Sequence, residues 1–206
     1  MMPTDPAALS AYDPTWPSTA TAWLSTVRDL LSDLPGADAA LYDHIGSTSI
    51  VGMSAKPFID LQVRILPLPP DDALIARLAP AGFQRAAGSR PDSPGVYRDT
   101  PREPDVADDS VWMKSLFVHA DAHLILHIRR ADSPWGKYTV WFRDWLRANP
   151  EESARYESLK RELAERERGK ADYDDYTRAK TVYFDEAQAR FERWATDPER
   201  PPVNNP

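Results

Sequence analysis

The residues of this chain best suited to chemistry lie in one short stretch, between positions 46 and 62. The stretch begins with a glycine and three hydroxyl residues, and such a turn can present backbone N–H groups and hydroxyls to phosphate oxygens. Lys56 adds a positive charge, and Asp60 is an acid inside a segment that is otherwise apolar on one face. Unpartnered carboxylates seldom lie in such a place, so we predict an anion-binding pocket beside Asp60, with an ordinary turn as the alternative. The predicted phosphate-binding residues of this stretch are Gly46, Ser47, Thr48, Ser49 and Lys56.

Two histidines, His44 and His127, lie in predicted core strands next to this stretch. One interpretation is structural, with each ring bonded to the backbone or to Asp60. The other is functional: both rings line the pocket and His127 acts as a general base, because its ordinary pKa of about 6.5 suits proton transfer near neutrality. A metal site made of two histidines and one carboxylate is a third interpretation.

Cations on the apolar faces of predicted C-terminal helices form a second group of candidates. A cation in an apolar stripe needs an anionic partner, which is either a ligand phosphate or another acidic substrate, or a neighbour such as Asp144 in a structural ion-pair network. For Arg147 we favour the structural interpretation, an ion pair with a neighbour such as Asp144. Trp135 and Trp141 are expected to be packing residues, with base stacking as the alternative. The other residues of these faces are Arg143, Tyr156, Lys160, Tyr176 and Lys180.

The elements that must position these residues follow from the spacing of apolar side chains. From Phe58 to Leu66, polar and apolar residues alternate, which predicts a strand with Asp60 and Gln62 on one face. Helices are predicted from helical spacing and from capping residues. The other strands are predicted over 39–45, 111–118 and 124–129, and the helices over 18–34, from 71 or 72 to about 81, over 141–147, from 150 to about 168 and over 173–195.

The predicted organisation is a single domain over residues 11–196. Its sheet-containing core ends near residue 132, and a helical part begins at residue 133. The ends, 1–10 and 197–206, are predicted to be flexible. Between residues 86 and 109 the composition shifts to Pro, Gly, Arg and Asp with little periodicity, which predicts a mobile flap beside the site.

Composition argues against several classes of function. The chain has 206 residues and a net charge of −7. It has no cysteine, and this excludes disulfides, zinc fingers and thiol catalysis. Affinity for nucleic-acid backbones comes from clustered Lys and Arg, so the acidic balance argues against a nucleic-acid partner. No stretch reaches the roughly 18 apolar residues of a membrane span, and the N-terminus lacks a signal-peptide pattern. We therefore expect no membrane association and a cytoplasmic location, and the oligomeric state stays open.

A series of short motifs runs in order along the chain. They are Tyr12-Asp13-Pro14, Trp16-Pro17, His44 to Ser49, Gly52, Ala55-Lys56-Pro57, Ile59-Asp60, Leu126-His127-Ile128 and Phe142 to Arg147, followed by Pro150, Tyr156, Leu159-Lys160, Tyr176 and Ala179-Lys180. Together they closely resemble the GrpB family, over about residues 11–195. The resemblance implies an α/β (α+β) fold of the nucleotidyltransferase superfamily that includes DNA polymerase beta. The implied architecture is a mixed β-sheet with flanking helices and a helical C-terminal part.

The resemblance also implies a chemistry for the opening stretch. In the superfamily the Gly-Ser turn holds a triphosphate, two carboxylates in an Asp-x-Asp pattern bind two Mg²⁺ ions, and a later strand supplies a third carboxylate. Here Asp60 matches the first carboxylate and is the implied metal ligand, but Gln62 takes the second position as a neutral group. The later strand has His127 and Arg129 where the third carboxylate is sought. This departure argues against two-metal transfer and leaves one Mg²⁺, held by Asp60 and the ligand phosphates, as the milder alternative.

Three hypotheses for the function follow. The first is binding of a nucleoside triphosphate, ATP in particular, with Mg²⁺ and transfer of its nucleotidyl group to a small-molecule acceptor, with Asp60 and His127 as the catalytic residues. The second is a non-catalytic nucleotide-binding, anion-binding or assembly module, because GrpB-like domains also occur fused to dephospho-coenzyme A kinase. The third is a different chemistry on an anionic small molecule through His127 and the cations. The remaining predicted site residues are Gln62, Arg129, Arg143, Lys160 and Lys180 as ligand-binding groups and His44, Tyr156 and Tyr176 as pocket-lining groups.

Overall fold

The structure, a computed structural model, describes residues 9–88, 93, 95–101, 108–168 and 174–200. Within those residues it contains five α-helices and five strands. The strands are β1 (Leu41–Ile45), β2 (Ile59–Ile65), β3 (Gln84–Arg85), β4 (Lys114–His119) and β5 (Leu124–Arg130). The helices are α1 (Trp16–Leu31), α2 (Asp71–Leu78), α3 (Pro134–Ala148), α4 (Pro150–Arg166) and α5 (Asp174–Thr196).

The five strands form one mixed sheet in the order β1-β2-β5-β4-β3. The central pair, β2 and β5, is parallel, and the other neighbouring pairs are antiparallel. In this register Asp60 lies between Ile45 of β1 and Ile125 of β5, while His127 is opposite Gln62. The predicted mixed sheet with flanking helices is therefore confirmed.

One face of the sheet is the hydrophobic core. The odd-numbered residues of β2, including Leu61 and Val63, are buried against Leu31 of α1 and Leu74 of α2. Alternation along the strand turns the even-numbered residues of β2, Asp60 among them, to the opposite face. Because the odd-numbered side chains must face the hydrophobic core, the polar side chains are placed on the other face of the sheet.

Helices α3, α4 and α5 cover that polar face and bring a second, largely aromatic cluster with them. Its buried members include Tyr138 and Trp145 of α3 and Phe191 of α5. Helix α3 begins at Pro134, earlier than the predicted residue 141, because Pro is well suited to the first helical position. Gly136 allows its first turn to lie against β2, since an added Cβ would come within 2.7 Å of Arg64 Cδ.

Other elements differ from the prediction at their ends. Strand β3 was not predicted, because two residues are too short to show alternation. The first predicted strand begins at Leu41, since residues 37–39 form a turn of 3₁₀ helix. Likewise, residues 109–112 form a 3₁₀ turn, and β4 begins only at Lys114.

Part of the predicted flap is described, and it is packed against the sheet. Val96 and Asp99 are buried, and Arg98 forms a β-bridge with Met113. Flap residues 89–92, 94 and 102–107 lie outside the described residues, as do the chain ends 1–8 and 201–206 and Tyr173, the predicted start of the last helix. In the described part of the chain, no helix combines the length and apolar character that a membrane crossing requires.

Candidate functional site

A cavity of about 370 Å³ lies between the polar face of the sheet and the three C-terminal helices. Most of the predicted site residues contribute to its wall, although they come from seven different elements or connecting segments. This brings together residues from positions 46 to 180 of the chain. The predicted residues that line it are Gly46, Ser47, Thr48, Lys56, Asp60, His127, Arg129, Arg143, Tyr156, Lys160, Tyr176 and Lys180.

Gly46 and Asp60 are in close contact at the floor of this cavity. Gly46 has a φ of 70°, and a Cβ at this position would lie less than 3.0 Å from Asp60 Oδ2. Only glycine therefore lets the turn approach the carboxylate so closely. Burial raises the pKa of Asp60 to about 6, against the opposing charges of Lys180, Lys114 and other nearby cations.

Substitution of this glycine should damage both the fold and the site. We expect Gly46→Ala to lower the free energy of unfolding by about 1–3 kcal/mol from the positive φ, with a further loss from the clash with Asp60. Gly52→Ala is the matched control, because Gly52 also has a positive φ, of 80°, but no atom lies within 4 Å of its added Cβ. Urea unfolding of both variants measures the difference, and equal losses would contradict a close Gly46–Asp60 contact.

His127 connects Asp60 to a buried lysine. Its Nδ1 lies 3.1 Å from Lys114 Nζ, and its Nε2 lies 3.5 Å from Asp60 Oδ1. Burial, together with the charges of Lys114 and Arg129, holds the pKa of His127 well below its ordinary value, so the ring is neutral. Because an ammonium group can only donate, Nδ1 accepts from Lys114 and Nε2 carries the proton that points to Asp60. In this arrangement His127 orients Asp60, and Asp60 rather than His127 is the available base.

Asp99 is a site residue that the sequence did not reveal. Its carboxylate accepts two hydrogen bonds from Arg129, at 2.7 and 3.1 Å, and pairs with Lys114 at 3.2 Å. All three side chains are at most 5% exposed. Burial alone would raise the pKa of Asp99, but the charges of Arg129 and Lys114 and their hydrogen bonds hold it below its ordinary value. Asp99 thus anchors the described part of the predicted flap to β4 and β5.

Gln62 lies outside the cavity wall, which argues against its predicted role as a ligand-binding group. Its Nε2 donates to the Gly136 carbonyl at 3.0 Å, and its Oε1 accepts from Arg129 at 2.8 Å and from Thr139 at 3.0 Å. The side chain is fully buried and is not part of the cavity wall. Gln62 instead joins β2 to β5 and to α3, which leaves its carbonyl oxygen no free direction for a metal or a phosphate.

His44 and Ser49 also lie away from the cavity wall, which corrects two further predictions. His44 is opposite Leu61, so alternation points its ring to the face of the sheet opposite Asp60. There its Nε2 lies 3.0 Å from Thr48 Oγ1, and burial, with the nearby arginines Arg147 and Arg143, lowers its pKa to about 3. Ser49 Oγ donates to the Gly46 carbonyl at 2.5 Å and shapes the turn instead of facing a ligand.

Three lysines converge on two tyrosines at the helical side of the cavity. The amino groups of Lys56 and Lys180 lie 4.5 and 4.9 Å from the centre of the Tyr176 ring. Lys160 Nζ lies 5.2 Å from the centre of the Tyr156 ring and donates to the Ser54 carbonyl at 2.5 Å. Such contacts stabilise ammonium groups that have lost their water.

Burial weakens the charge of these lysines. It lowers the pKa of Lys56 to about 6, with a further contribution from Lys180, and the pKa of Lys160 to about 7 in the same way. Burial also lowers the pKa of Lys180, while Asp60 acts in the opposite direction. An anion placed between these amino groups would favour their charged forms. The lysines of this wall would therefore gain charge if a negatively charged group lay between them.

The two arginines of α3 hold the turn in place. Arg143 Nε pairs with Asp144 at 2.6 Å and its Nη1 donates to the His44 carbonyl at 2.9 Å. Arg147 donates to the Ser49 carbonyl at 2.7 Å and lies 3.6 Å from Asp144, as the structural interpretation predicts. Of the two, only Arg143 also lines the cavity.

An aromatic wall completes the cavity. Trp135 stacks on Phe184 with ring centres 5.1 Å apart and an interplanar angle of 19°, and its Nε1 donates to the Thr100 carbonyl at 2.6 Å. Phe142 packs against Phe184 beside them. Trp135 therefore both packs and faces the cavity, whereas Trp141 is not part of the wall.

The donor set of this cavity does not fit a two-metal centre. Two magnesium ions need several carboxylates, because hard cations prefer oxygen ligands that carry charge. The described wall has three carboxylates: Asp99 is bonded to Arg129 and Lys114, Asp174 of α5 accepts from Ser93 Oγ at 2.7 Å, and Asp60 is the one on the sheet. Within the described ranges, no group of three or more His, Asp or Glu side chains is placed to hold a metal ion.

These features define a class of protein: a mixed α/β fold in which a Gly-Ser turn approaches an acid on a central strand, under a layer of C-terminal helices. The chain belongs to the GrpB family, because the family model described as GrpB protein matches residues 6–190. A crystal structure of conserved protein GrpB from Enterococcus faecalis has the same fold, with a TM-score of 0.60 and 19% identity over 88% of this chain and 99% of that one.

Curated relatives agree with the family. A UPF0157 protein of Streptomyces coelicolor is 32% identical over 84% of this chain and 77% of its own length. A protein of Mycolicibacterium paratuberculosis named dephospho-CoA kinase is 31% identical over 92% of this chain. The chain spans 47% of that kinase, about half of its length, and the name describes the longer protein.

Proposed function

We propose that the cavity binds a small molecule that carries several phosphates, a nucleoside triphosphate in particular. The observation that carries the proposal is the excess of cations on the wall. Six of the described lining side chains are Lys or Arg and three are Asp, so basic side chains outnumber acidic ones by three in a chain whose net charge is −7. Cations gathered in a recess of an acidic protein favour a multiply charged anion.

The turn at residues 46–48 supports the same ligand from the other side. Gly46, Ser47 and Thr48 of this turn line the cavity, next to Lys56. Backbone N–H groups, hydroxyls and ammonium groups are the donors that phosphate oxygens accept from. We place the phosphates between this turn and the lysines of α4 and α5.

The aromatic wall is suited to the rest of the ligand. Trp135, Phe142 and Phe184 offer ring faces and edges beside the cations. Nucleobases bind protein sites by stacking on such side chains, with little dependence on which base is present. We therefore expect weak discrimination between the four bases and strong dependence on the number of phosphates.

Calorimetric titration tests this function. We expect ATP, CTP, GTP and UTP to bind, ADP to bind more weakly, and adenosine to show no binding. A protein that binds none of the four triphosphates under any condition would contradict the proposed function.

A lysine variant identifies the cavity as the binding site. Lys180→Met should weaken triphosphate binding by about tenfold or more, because a charge-assisted contact is lost. Lys137→Met is the matched control: Lys137 lies on α3, is exposed and does not line the cavity. Equal affinities of the two variants would place the ligand elsewhere.

A second candidate function is acid–base chemistry on the bound ligand. The contact between His127 Nε2 and Asp60 favours it, since Asp60 is an oriented base with a pKa of about 6. In nucleotidyl transfer, Asp60 would take the proton of an acceptor hydroxyl, the hydroxyl oxygen would bond to the α-phosphorus, and pyrophosphate would leave. Pyrophosphate release with hydroxyl and amine acceptors tests the candidate. Release that survives Asp60→Asn would exclude Asp60 as the base.

A further inference from the structure

The geometry points to a site that binds its phosphate ligand free of metal, with fixed ammonium and guanidinium groups in the position where related chemistry uses Mg²⁺. This inference rests on the proposed function and narrows it to the metal-free form of the ligand. It follows from three arrangements on the cavity wall.

The first arrangement is the surroundings of Asp60, the one carboxylate of the described wall that faces the cavity from the sheet. Four basic side chains, those of Lys56, Lys114, Arg129 and Lys180, are close enough to act on its charge. A divalent ion bound to this carboxylate would therefore be repelled from several sides. A phosphate group in the same place would favour the charged forms of these four side chains and would be attracted by them.

The second arrangement is the Lys114–Arg129 pair on the neighbouring strands. The two residues are opposite each other in the β4–β5 register, and both bond to buried Asp99. Arg129 is held again by Gln62 at 2.8 Å. These contacts hold two basic side chains, with the one counter-charge of Asp99, in fixed positions next to His127 and Asp60. Charges held rigidly in a site need no reorganisation when an anion arrives.

The third arrangement is the Lys56–Tyr176–Lys180 group opposite that pair. Both amino groups lie within 4.9 Å of the centre of the Tyr176 ring, which itself carries no net charge. An aromatic ring stabilises a cation but does not neutralise it. Two facing sets of cations, one on the sheet and one on α5 and the 56–58 segment, thus enclose the space above Asp60.

Calorimetry with and without metal tests the inference. ATP is titrated into the protein in excess EDTA and again in excess MgCl₂. We expect tight binding in EDTA and an affinity lower by about tenfold in MgCl₂, because Mg²⁺ cancels part of the ligand charge that the fixed cations attract.

The Asp60→Asn variant should change the affinity for ATP in opposite directions in a metal-free site and in a metal-binding site. In a metal-free site it removes a negative charge beside the phosphates, so ATP should bind in EDTA several times more tightly than to the wild type. In a metal site it removes the ion's ligand, and binding should weaken in MgCl₂. Lys137→Met, an exposed change outside the cavity wall, is the control for the effect of a substitution as such.

The outcomes separate the inference from the proposed function. Binding that appears only with MgCl₂, and that Asp60→Asn abolishes, overturns the metal-free site but leaves triphosphate binding standing. No binding in either buffer overturns both. Tight binding in EDTA that Asp60→Asn strengthens and Lys180→Met weakens supports the inference. Because Asp60 and Lys180 change binding in opposite directions, misfolding of one variant cannot produce this pattern.

Discussion

Replacing Asp99 with alanine is expected to lower the free energy of unfolding by about 3–5 kcal/mol, because the change leaves two buried cations without their counter-charge. Asp99 is 5% exposed and joins Arg129 and Lys114, which are themselves buried. Neither cation can move into water without opening the sheet. Chemical unfolding at neutral pH, followed by circular dichroism, measures the loss.

Asp109→Ala is the matched control for this variant. Asp109 is the last residue of the same predicted flap, residues 86–109, and pairs with Arg98. Both side chains are exposed, so the removal of Asp109 should change stability little. Asp99→Asn, which keeps the shape and some hydrogen bonding, should fall between the two. If Asp99→Ala unfolded at the same urea concentration as Asp109→Ala, the buried charge network would not contribute to stability.

The contribution of Asp99 also has a definite pH dependence. The folded-state pKa of this carboxyl lies below its ordinary value of 3.8, mainly because burial is outweighed by the charges of Arg129 and Lys114. A lowered folded-state pKa means that the unfolded state binds the proton more readily. The stabilisation is therefore complete above the ordinary pKa and is lost as the pH falls through the folded-state value.

Binding of a phosphate ligand should take up protons and tighten as the pH falls. The amino groups of Lys160 and Lys56 have pKa values of about 7 and about 6, lowered by burial and by Lys180. A bound anion raises both values, so the complex holds more protons than the free protein. Each proton taken up makes the affinity change by about tenfold per pH unit. The change begins above neutrality with Lys160 and continues towards about pH 6 with Lys56.

Calorimetry in buffers of different ionisation enthalpy measures this proton uptake directly. The ligand's own terminal phosphate titrates in the same range, so the comparison is made between proteins rather than between ligands. Lys56→Met should remove part of the uptake, whereas Lys137→Met, an exposed change outside the cavity, should leave it intact. Proton release on binding, or an uptake that is the same in both variants, would contradict the electrostatics of the cavity.

Local patterns in the sequence were sufficient to predict the central strand β2 and the position of Asp60 on it. Alternation from residue 58 to residue 66 predicted the face on which Asp60 lies, and the strand runs from Ile59 to Ile65. The same reasoning failed for His44, because its face depends on the pairing of β1 with β2. That pairing sets Ile45 opposite Asp60, and neither strand contains this information alone.

The charge network was not predictable from local spacing. Asp99 lies in a segment without periodicity, and its partners are 15 and 30 residues further along the chain. The position of Lys114 was predictable from the hairpin. If the turn is placed at residues 120–123, the register sets Lys114 opposite Arg129. Gln62 resembled an altered metal ligand in the sequence, and only the packing of α3 shows that its amide is fully used inside the protein.

The parallel pairing of β2 and β5 also bears on how the site comes into being during folding. It joins Asp60 to His127 across 67 residues of chain, with α2, β3 and β4 formed in between. Parallel strands cannot be joined by a tight turn, and closing so long a loop costs entropy before any contact is made. Such non-local pairings form late and slowly. We therefore expect the cavity to acquire its geometry near the end of folding, so that a ligand binds only molecules in which β2 and β5 have already paired.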